Sequence, residues 1–452
     1  MNPMTRRRFL RACAAGGALY AFGRTPGSIY AEAAGVNGFS DYKALVCVFL
    51  FGGNDSWSMV VPRSDAEYNT YAQSRQNLAI AKDQLLPVNA LNGNGVLYGL
   101  HPSMQGVADL FESGRCAVVA NVGPLIQPTT KAQYQAGSVA LPPQLFSHND
   151  QQDQWHSLRG KTVSKTGWAG RVADVLASQV TGQQLALNVS LSGNTLFQAG
   201  AGATPYIMGA SGATTFTGFG TTGMAAARKA SFQNVANATY GTVYERAFAD
   251  VQKRAVQYAD LVNEALLAAP PLTTVFPSGS SLGTQLQTVA RMIAVRERLG
   301  MSRQVFFVAT GGFDTHDEQL DDQPGLLGNV SASLAAFHAA TIELGVASNV
   351  TAFTQSDFGR TLTSNGDGSD HAWGGVQLVL GDGVKGRSIY GQYPVLEIGG
   401  AADVGGGRFI PAVSSDQYAA TLAKWLGIAD TQMSTIAPSI GNFADKDLGF
   451  LL

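Results

Sequence analysis

The sequence predicts a three-layer α/β sandwich with a mostly parallel central sheet. Three apolar stretches have the composition of buried strands: residues 43–58 (KALVCVFLFGGNDSWS), 305–316 (VFFVATGGFDTH) and 349–360 (NVTAFTQSDFGR). Segments with helical periodicity alternate with such strands along the chain, which is typical of layered α/β folds. In each stretch the apolar strand leads to an aspartate (Asp55, Asp314 and Asp357), as expected where parallel strands deliver polar groups to one edge of a sheet.

The composition fits one large, weakly charged domain. Of 452 residues, 45% are hydrophobic but only 14% are charged, and 53 are glycine. The formal net charge of −2 gives no basic surface and so argues against nucleic-acid binding. We predict a single domain over residues 35–452, with a Gly/Thr/Ala-rich segment at about residues 193–242 inserted as a cap or lid.

The first 34 residues have the pattern of an export signal. Residues 5–11 (TRRRFLR) are basic, residues 12–22 are weakly apolar, and Ala31-Glu32-Ala33 offers a small-x-small cleavage site. Adjacent arginines followed by Phe-Leu resemble a twin-arginine signal, so residues 1–34 are interpreted as a twin-arginine signal peptide and the protein is expected in the periplasm or outside the cell. No later apolar run reaches about 18 residues, so no transmembrane segment is expected in the mature chain.

The N-terminal half predicts two strands joined through a helix. Residues 43–51 form the first strand, which Gly52-Gly53 ends, and residues 68–80 and 83–95 are interpreted as irregular loops. Residues 102–114 predict a short amphipathic helix between Pro and Gly, followed by a strand at residues 115–122, in a parallel crossover.

The rest of the chain continues the alternation. The predicted helices are a helix within residues 142–158 with Ser147 at its N-cap, one opening at Arg171, and helices at 240–267, 282–300, 330–344 and 417–426. The predicted strands are 185–190, the run beginning at Val305, 349–354 and 376–380. Cys47 and Cys116 lie within predicted apolar strands, which favours buried free thiols over a disulfide.

Acidic and imidazole side chains at the strand ends predict a shared site for a hard or borderline cation, because carboxylates with imidazole suit Zn, Mn or Mg. The candidate ligands are Asp55, Asp314, His316, Asp357 and His371. An aspartate after Gly-Gly is also common in turns and at helix N-caps, and this alternative stays open for Asp55 taken alone. The joint occurrence at three strand ends is what favours the metal site.

The other histidines are assigned from their sequence context. His338 lies on the core-facing side of a predicted helix and His101 precedes a proline, so both are expected to be structural. For His148 and His156 a structural and a functional role remain equally open.

A hydrolase of esters at such a site also needs a nucleophile. Ser147 at a helix N-terminus fits, because the helix dipole favours the alkoxide and a bound anion, although a plain N-cap serine gives the same pattern. Ser56 is a weaker candidate. Arg360 either neutralises an oxygen of a phosphate or sulfate or pairs with Asp357.

Seven motifs, in order, resemble the bacterial domain of unknown function family 1501. They are GGND (52–55), GLHPSM (99–104), FSHNDQQDQW (146–155), TGWAGR (166–171), GGFDTH (311–316), SDFGRT (356–361) and DHAWGG (370–375). The family is distantly similar to alkaline phosphatases and sulfatases, so the resemblance implies an alkaline-phosphatase-like fold. It implies that Asp55 is the metal ligand after the first strand, that Ser147 is the nucleophile, and that His371 is the last histidine ligand.

Two departures from the superfamily pattern accompany this resemblance. Asp314 and His316 are two residues apart where the superfamily usually has four, and Phe358 stands where Asp357 is usually followed by a histidine. A full two-metal site is therefore not expected. The expected cofactor is a divalent ion (Zn, Mn, Mg or Ca), and the site holds one such ion or none. The residues left are rich in carboxylates, which favours Mg or Ca over Zn.

Two functions follow. The first is an exported, metal-dependent hydrolase acting on a small phosphate or sulfate ester or a decorated glycan, with Ser147 attacking in line and Arg360 assisting the anion. The second is a catalytically inactive binding or cell-surface assembly protein on the same fold, which the phenylalanine at position 358 favours.

Overall fold

The computed structural model describes residues 38–160, 162–213 and 216–452, so the predicted signal peptide (residues 1–34) lies outside the described residues. The strands are β1 Lys43–Leu50, β2 Val60–Pro62, β3 Leu86–Val88, β4 Tyr98–Leu100, β5 Cys116–Gly123, β6 Asn188–Ser190, β7 Tyr206–Ile207, β8 Arg303–Thr310, β9 Val350–Ser356, β10 Gly375–Leu380, β11 Ile389–Gly391 and β12 Val413–Ser414. The α-helices are Ser56–Met59, Asp65–Arg75, Gln105–Glu112, Lys131–Ala136, His148–Ser157, Trp168–Leu176, Gly223–Ala236, Val243–Ala268, Ser281–Ala294, Gln319–Glu343, Ser415–Leu426 and Met433–Ile436.

The central sheet has the order β11-β5-β10-β9-β1-β8-β6-β7, with β12 pairing β5. Only β10 runs antiparallel to its neighbours among these strands, so the predicted mostly parallel sheet is confirmed. A second, antiparallel sheet, β2-β4-β3, lies in the chain between β1 and β5.

The sheet is covered on both faces, which gives the predicted three layers. Along β1 the residues alternate between two hydrophobic clusters: Val46 and Val48 belong to one, and Leu45, Cys47 and Phe49 to the other. Successive side chains of a strand point to opposite faces, so each cluster is the core on one side of the sheet. Seven of the eight β1 residues are buried, and burial of each large apolar side chain stabilises the fold by about 1.5–3 kcal/mol.

Several predictions of local structure are wrong. Residues 68–80, interpreted as a loop, lie mostly in the helix Asp65–Arg75, whose sequence is too polar to show a clear apolar stripe. The helix predicted at residues 330–344 begins earlier, at Gln319. Its first turns were missed because they carry polar residues and Pro324. The helix predicted to open at Arg171 begins at Trp168. By contrast, β1 and β5 run in the same direction, as the predicted parallel crossover requires, with β9 and β10 between them.

Two further expectations concern burial. Cys47 and Cys116 are buried free thiols, as predicted.

By length and composition, one described helix, Gln319–Glu343, is apolar enough to cross a membrane. Half of its apolar window is buried, and it packs on the helices Ser281–Ala294 and Gln105–Glu112, which is the position of a core helix in this fold. The proposed cap segment, residues 193–242, contains β7 and the helix Gly223–Ala236.

Candidate metal centre

The candidate site forms where three neighbouring parallel strands end. In register, Leu50 of β1 lies beside Thr310 of β8 and Ser356 of β9. The chain after each strand therefore leaves the sheet at the same edge, and Asp55, Asp314 and Asp357 all follow within a few residues. This common edge is what the sequence pattern predicted.

Asp314 is the centre of the cluster at this edge. Its carboxylate is 47% exposed, and Oδ1 lies 3.1 Å from Nε2 of His316 and 3.2 Å from Nε2 of His371. Its Oδ2 lies 3.4 Å from Nε2 of His148. Partial burial acts to raise the pKa of Asp314, but the hydrogen bond and positive charge of Arg360 outweigh it and hold the pKa below its ordinary value. The carboxylate is therefore ionised at neutral pH.

His371 presents a free lone pair to this carboxylate. Its Nδ1 lies 2.8 Å from the carbonyl oxygen of Phe146, an acceptor only, so Nδ1 carries the proton and the neutral ring has its lone pair on Nε2. Burial lowers the pKa of His371, which keeps the neutral form present at lower pH than for an exposed histidine.

His148 has the same arrangement, with a carboxylate as its partner. Its Nδ1 lies 2.6 Å from Oδ2 of Asp357, which also accepts from Nε2 of Gln152 at 2.9 Å and from the backbone N–H of Gly52 at 3.2 Å. Asp357 is fully buried, and burial raises its pKa. A carboxylate that orients a histidine in this way is the usual outer partner of a metal-bound imidazole.

Three residues thus bring their donor atoms together. Ligand atoms of His148, Asp314 and His371 all lie within 4.8 Å of one another. Two imidazoles and one carboxylate, with room for a further ligand, are the protein ligands of many catalytic zinc sites. The arrangement fits a single divalent ion.

His316 lies at the border of this group. Its Nε2 is 2.8 Å from Nε2 of His371, and its Nδ1 is 3.3 Å from Oδ1 of Asp370. The close pair of ring nitrogens places a third imidazole beside the cluster, and Asp370 fixes its orientation.

Asp55, by contrast, is engaged elsewhere. Its carboxylate forms a buried salt bridge with Arg75, both side chains being fully buried, and its Oδ2 accepts from Nε2 of Gln319 at 2.5 Å. Arg75 also donates to Ser58 Oγ and to the carbonyl oxygen of Thr361. A guanidinium therefore supplies the positive charge that the sequence interpretation assigned to a metal at Asp55.

Arg360 contacts a different acid from the one considered in the sequence. Its Nη1 donates to Oδ1 of Asp314 at 2.7 Å and to the carbonyl oxygen of Gly52 at 3.3 Å, and Nη2 donates to the carbonyl oxygen of Ser369. Pairing is thus with Asp314 rather than with Asp357. The side chain is fully buried, and burial lowers its pKa.

Ser147 occupies the N-cap position of the helix His148–Ser157, as predicted, but its side chain makes no capping bond. Its hydroxyl instead donates to Oδ2 of Asp150 at 2.6 Å. The residues on either side of it, Phe146 and His148, both contact the cluster. Its Oγ is therefore held next to the cluster in sequence, by a carboxylate that accepts its hydrogen bond.

Phe358 fills the place of the histidine expected there. Its ring centroid lies 4.8 Å from that of His148 and 4.6 Å from that of His371, so it packs against both candidate ligands. Gly53 makes room for it: a Cβ at this glycine would lie 2.3 Å from the Phe358 ring, and its φ of +83° also favours glycine.

The cluster opens into a cavity of about 430 Å³. It is lined by Tyr134, Phe146, His316, Asp370, His371, Val404 and Arg408. This volume is within the range of pockets that bind small molecules. A larger cavity of about 690 Å³ lies against the helix Val243–Ala268 and contains none of the candidate ligands, so the candidate site is at the smaller one.

The remaining histidines are structural in the described residues. His156 is buried among Phe49, Phe197 and Phe307, and burial lowers its pKa to about 3. His338 lies on the helix Gln319–Glu343, and its Nε2 is 2.9 Å from Oδ1 of Asp382. His101 is buried, and burial lowers its pKa to about 4. The structural assignment of His338 and His101 agrees with these contacts.

Sequence reasoning missed two residues of this region. The role of His148 was left open because a histidine on a polar helix is not distinctive by itself. Its position directly after Ser147, the candidate nucleophile, was the one signal that could have identified it. Arg75 was missed because its segment was interpreted as a loop. The metal-binding roles of Asp55, Asp314, His316, Asp357 and His371, and the catalytic roles of Ser147 and Arg360, stay predictions.

The fold and this site define an α/β protein with a candidate metal centre at the edge of a mostly parallel sheet. Residues 42–437 match the model of the family described as protein of unknown function (DUF1501), so the chain belongs to that family. No curated protein matches the sequence.

The solved structures that match this chain do so at very low identity and with TM-scores below 0.5. The lipoteichoic acid synthase LtaP from Listeria monocytogenes is 7% identical, with a TM-score of 0.35, over 94% of this chain and 79% of that one. The soluble domain of lipooligosaccharide phosphoethanolamine transferase A from Neisseria meningitidis is 8% identical, with a TM-score of 0.37, over 92% and 95%. A sulfatase from Pseudoalteromonas sp. is 8% identical, with a TM-score of 0.32, over 95% and 73%. These values carry no conclusion about activity.

Proposed function

We propose that this protein is an exported, metal-dependent hydrolase of phosphate or sulfate esters with one divalent ion at its centre. The observation that carries the proposal is the paired orientation of His148 and His371. Each ring directs its Nδ1 to a fixed oxygen, of Asp357 and of Phe146, so both Nε2 atoms meet at the carboxylate of Asp314. Two imidazole lone pairs and one carboxylate converging on one point are a metal-binding arrangement.

The donor set favours Zn²⁺ or Mn²⁺ over the Mg²⁺ or Ca²⁺ that the sequence favoured, because imidazole nitrogen suits the former and all-oxygen sites suit the latter. The second acid cluster, at Asp55, already holds the guanidinium of Arg75. We therefore propose one ion and not two. When bound, the ion supplies positive charge that stabilises the negative charge developing on the ester oxygens.

The chain's own residues provide the rest of the reaction. Ser147 Oγ forms a bond to the phosphorus or sulfur atom while its proton passes to Asp150, and the alcohol oxygen of the ester departs, taking a proton from solvent. Water then cleaves the seryl ester and releases inorganic phosphate or sulfate. Arg360 keeps Asp314 ionised and oriented through its 2.7 Å hydrogen bond.

A binding or assembly protein without catalysis is the second candidate. Two contacts favour it: Arg360 is hydrogen-bonded to the carboxylate that a metal would use, and Phe358 packs against both histidines in place of a further ligand. In that case the cluster is held together by its own hydrogen bonds.

Metal binding is the first test. The purified protein is stripped with a chelator, reloaded separately with Zn²⁺, Mn²⁺, Mg²⁺ or Ca²⁺, and analysed by mass spectrometry and calorimetry. We expect one equivalent of Zn²⁺ or Mn²⁺ in the wild type and in the control Asp367→Asn, whose acid is exposed beside the site, but a large loss in Asp314→Asn. Equal metal content in all three proteins would contradict the proposed metal site.

Activity is the second test. The loaded enzyme is assayed on 4-nitrophenyl phosphate and 4-nitrophenyl sulfate beside Ser147→Ala and the exposed control Ser138→Ala. We expect hydrolysis to be lost only in Ser147→Ala. Metal-loaded wild type as inactive as Ser147→Ala would leave the binding role as the function.

Export is proposed from the sequence. Replacing Arg6 and Arg7 by lysine is expected to retain the precursor in the cytoplasm, as followed by fractionation and immunoblotting. Unchanged export would contradict the twin-arginine assignment.

A further inference from the structure

We propose that the cavity beside the metal centre selects esters whose ring carries a second negative charge, and that Arg408 is the specificity-determining residue. The inference rests on the proposed function, since it names the substrate class of the same site. It is carried by the surroundings of Arg408.

The cavity has the shape and lining of a ring-binding site. His316 and His371 lie on the side of the candidate metal, while Tyr134, Phe146 and Val404 contribute apolar and aromatic surface. Its volume of about 430 Å³ suits one ring with its substituents rather than an ester group alone. Aromatic walls favour the flat apolar face of a phenyl or sugar ring.

Arg408 brings a cation to this cavity with one edge available. Its Nε donates to the carbonyl oxygen of His371 at 2.9 Å and its Nη1 to that of Gly405 at 3.1 Å. Among the described residues, no acceptor is paired with Nη2. The guanidinium lies 5.5 Å from the ring centroid of Phe146, within cation–π distance. A guanidinium with free N–H groups is the side chain best suited to bind carboxylate, sulfate or phosphate.

The loop that carries Arg408 is fixed before any ligand binds. The buried carboxylate of Asp403 accepts hydrogen bonds from the backbone N–H groups of Gly399 at 2.8 Å, Gly405 at 2.7 Å and Gly407 at 2.8 Å. The positive φ values of Gly405, +137°, and Gly407, +76°, allow the tight turn. Such preorganisation lowers the entropy cost of binding.

One acid faces the same cavity and defines where the second charge binds. Asp370 is already engaged, since its Oδ1 lies 3.3 Å from Nδ1 of His316 and 3.4 Å from Nδ2 of Asn365. Its charge disfavours an anion near His316. The second anionic group of the substrate is therefore expected at Arg408, which is the cation in this lining, while the ester group binds at the metal. The substrate class is a phosphate or sulfate ester on an aromatic or sugar ring that also bears a carboxylate, sulfate or phosphate.

Non-hydrolysable probes test this without relying on turnover. Calorimetry on Zn²⁺-loaded protein compares phenylphosphonate with its 3-carboxy and 4-carboxy derivatives. We expect at least one carboxylated probe to bind the wild type about 10-fold tighter or more than phenylphosphonate, as a charge-assisted hydrogen bond predicts. In Arg408→Gln this ratio is expected to fall to about 1, and Arg408→Lys is expected to restore part of it. The control Arg254→Gln, on the helix Val243–Ala268 and outside the lining of this cavity, should keep the wild-type ratio.

The outcomes separate this inference from the proposed function. Wild type that binds all three probes equally, while still binding phenylphosphonate only when loaded with metal, would overturn the role of Arg408 and leave the hydrolase proposal standing. A wild-type ratio that Arg408→Gln does not change would also overturn it. Failure of all three probes to bind the loaded protein would overturn both.

Discussion

Two adjacent strands of the sheet end in the same pattern, yet their aspartates have opposite surroundings. β1 is followed by Gly52-Gly53-Asn54-Asp55 and β8 by Gly311-Gly312-Phe313-Asp314, and the two strands are paired in register. Asp55 is 1% exposed, whereas 47% of the Asp314 side chain is exposed. The local sequence is nearly the same in both cases.

The difference comes from what packs against each strand end. The helix Asp65–Arg75 places Arg75 over Asp55, and the helix Gln319–Glu343 adds Gln319, so the first acid becomes part of a buried ion pair. Asp314 instead meets the Nε2 atoms of His316, His371 and His148 at a partly exposed position, which leaves it open to a cation. Tertiary neighbours thus decide whether a strand-end acid is buried in an ion pair or remains available to a cation.

The largest expected effect is at the buried ion pair. Arg75→Met leaves the Asp55 carboxylate buried without a cation, so the free energy of unfolding should fall by about 3–5 kcal/mol, measured by equilibrium unfolding in urea. The matched control is Lys82→Met, which breaks the surface pair with Asp65 and should cause no measurable change. If Arg75→Met is as stable as Lys82→Met, the pair at Asp55 is not a structural element.

A smaller effect is expected at the acid behind His148. Asp357→Asn weakens the orientation and basicity of the imidazole, so Zn²⁺ affinity should fall by roughly 10–100-fold in calorimetric titrations. The same substitution at Asp55 should instead lower stability and leave the Zn²⁺ affinity of the folded protein unchanged. Equal effects of the two variants on affinity would erase the distinction between the two strand ends.

The smallest effect at neutral pH concerns the two histidines of one helix, His148 at the site and His156 in the core. Burial lowers the pKa of His156 to about 3, against about 6.5 when unfolded. Between these values the unfolded state binds a proton that the folded state does not, so stability falls as pH falls from about 6.5 towards 3. His156→Phe should remove a slope on the order of 1.4 kcal/mol per pH unit in urea unfolding curves. An unchanged slope would mean that this ring is not neutral in the folded protein.

The sheet could be predicted from the sequence because the hydrophobic pattern of its strands is local. Apolar runs such as Lys43–Leu50 are buried on both faces, and this burial leaves a continuous hydrophobic pattern that few other structures produce. Their termination by Gly-Gly and an acid predicted the functional edge as well. The helix Asp65–Arg75 could not be predicted, since its sequence is polar and Arg75 at its end bonds to the distant residues Thr361 and Leu362.

The sequence by itself determined the mostly parallel α/β sheet, the edge at which its polar groups gather and the set of acids and histidines available there. Only the tertiary structure decided which of them meet: Arg75 neutralises Asp55, Asp357 turns His148 towards Asp314, and Phe358 packs against both histidine rings. The physical reason is that hydrophobic periodicity depends on residues that are neighbours in the sequence. The partner of a buried charge is a side chain distant along the chain, and the cost of desolvation makes that partner necessary.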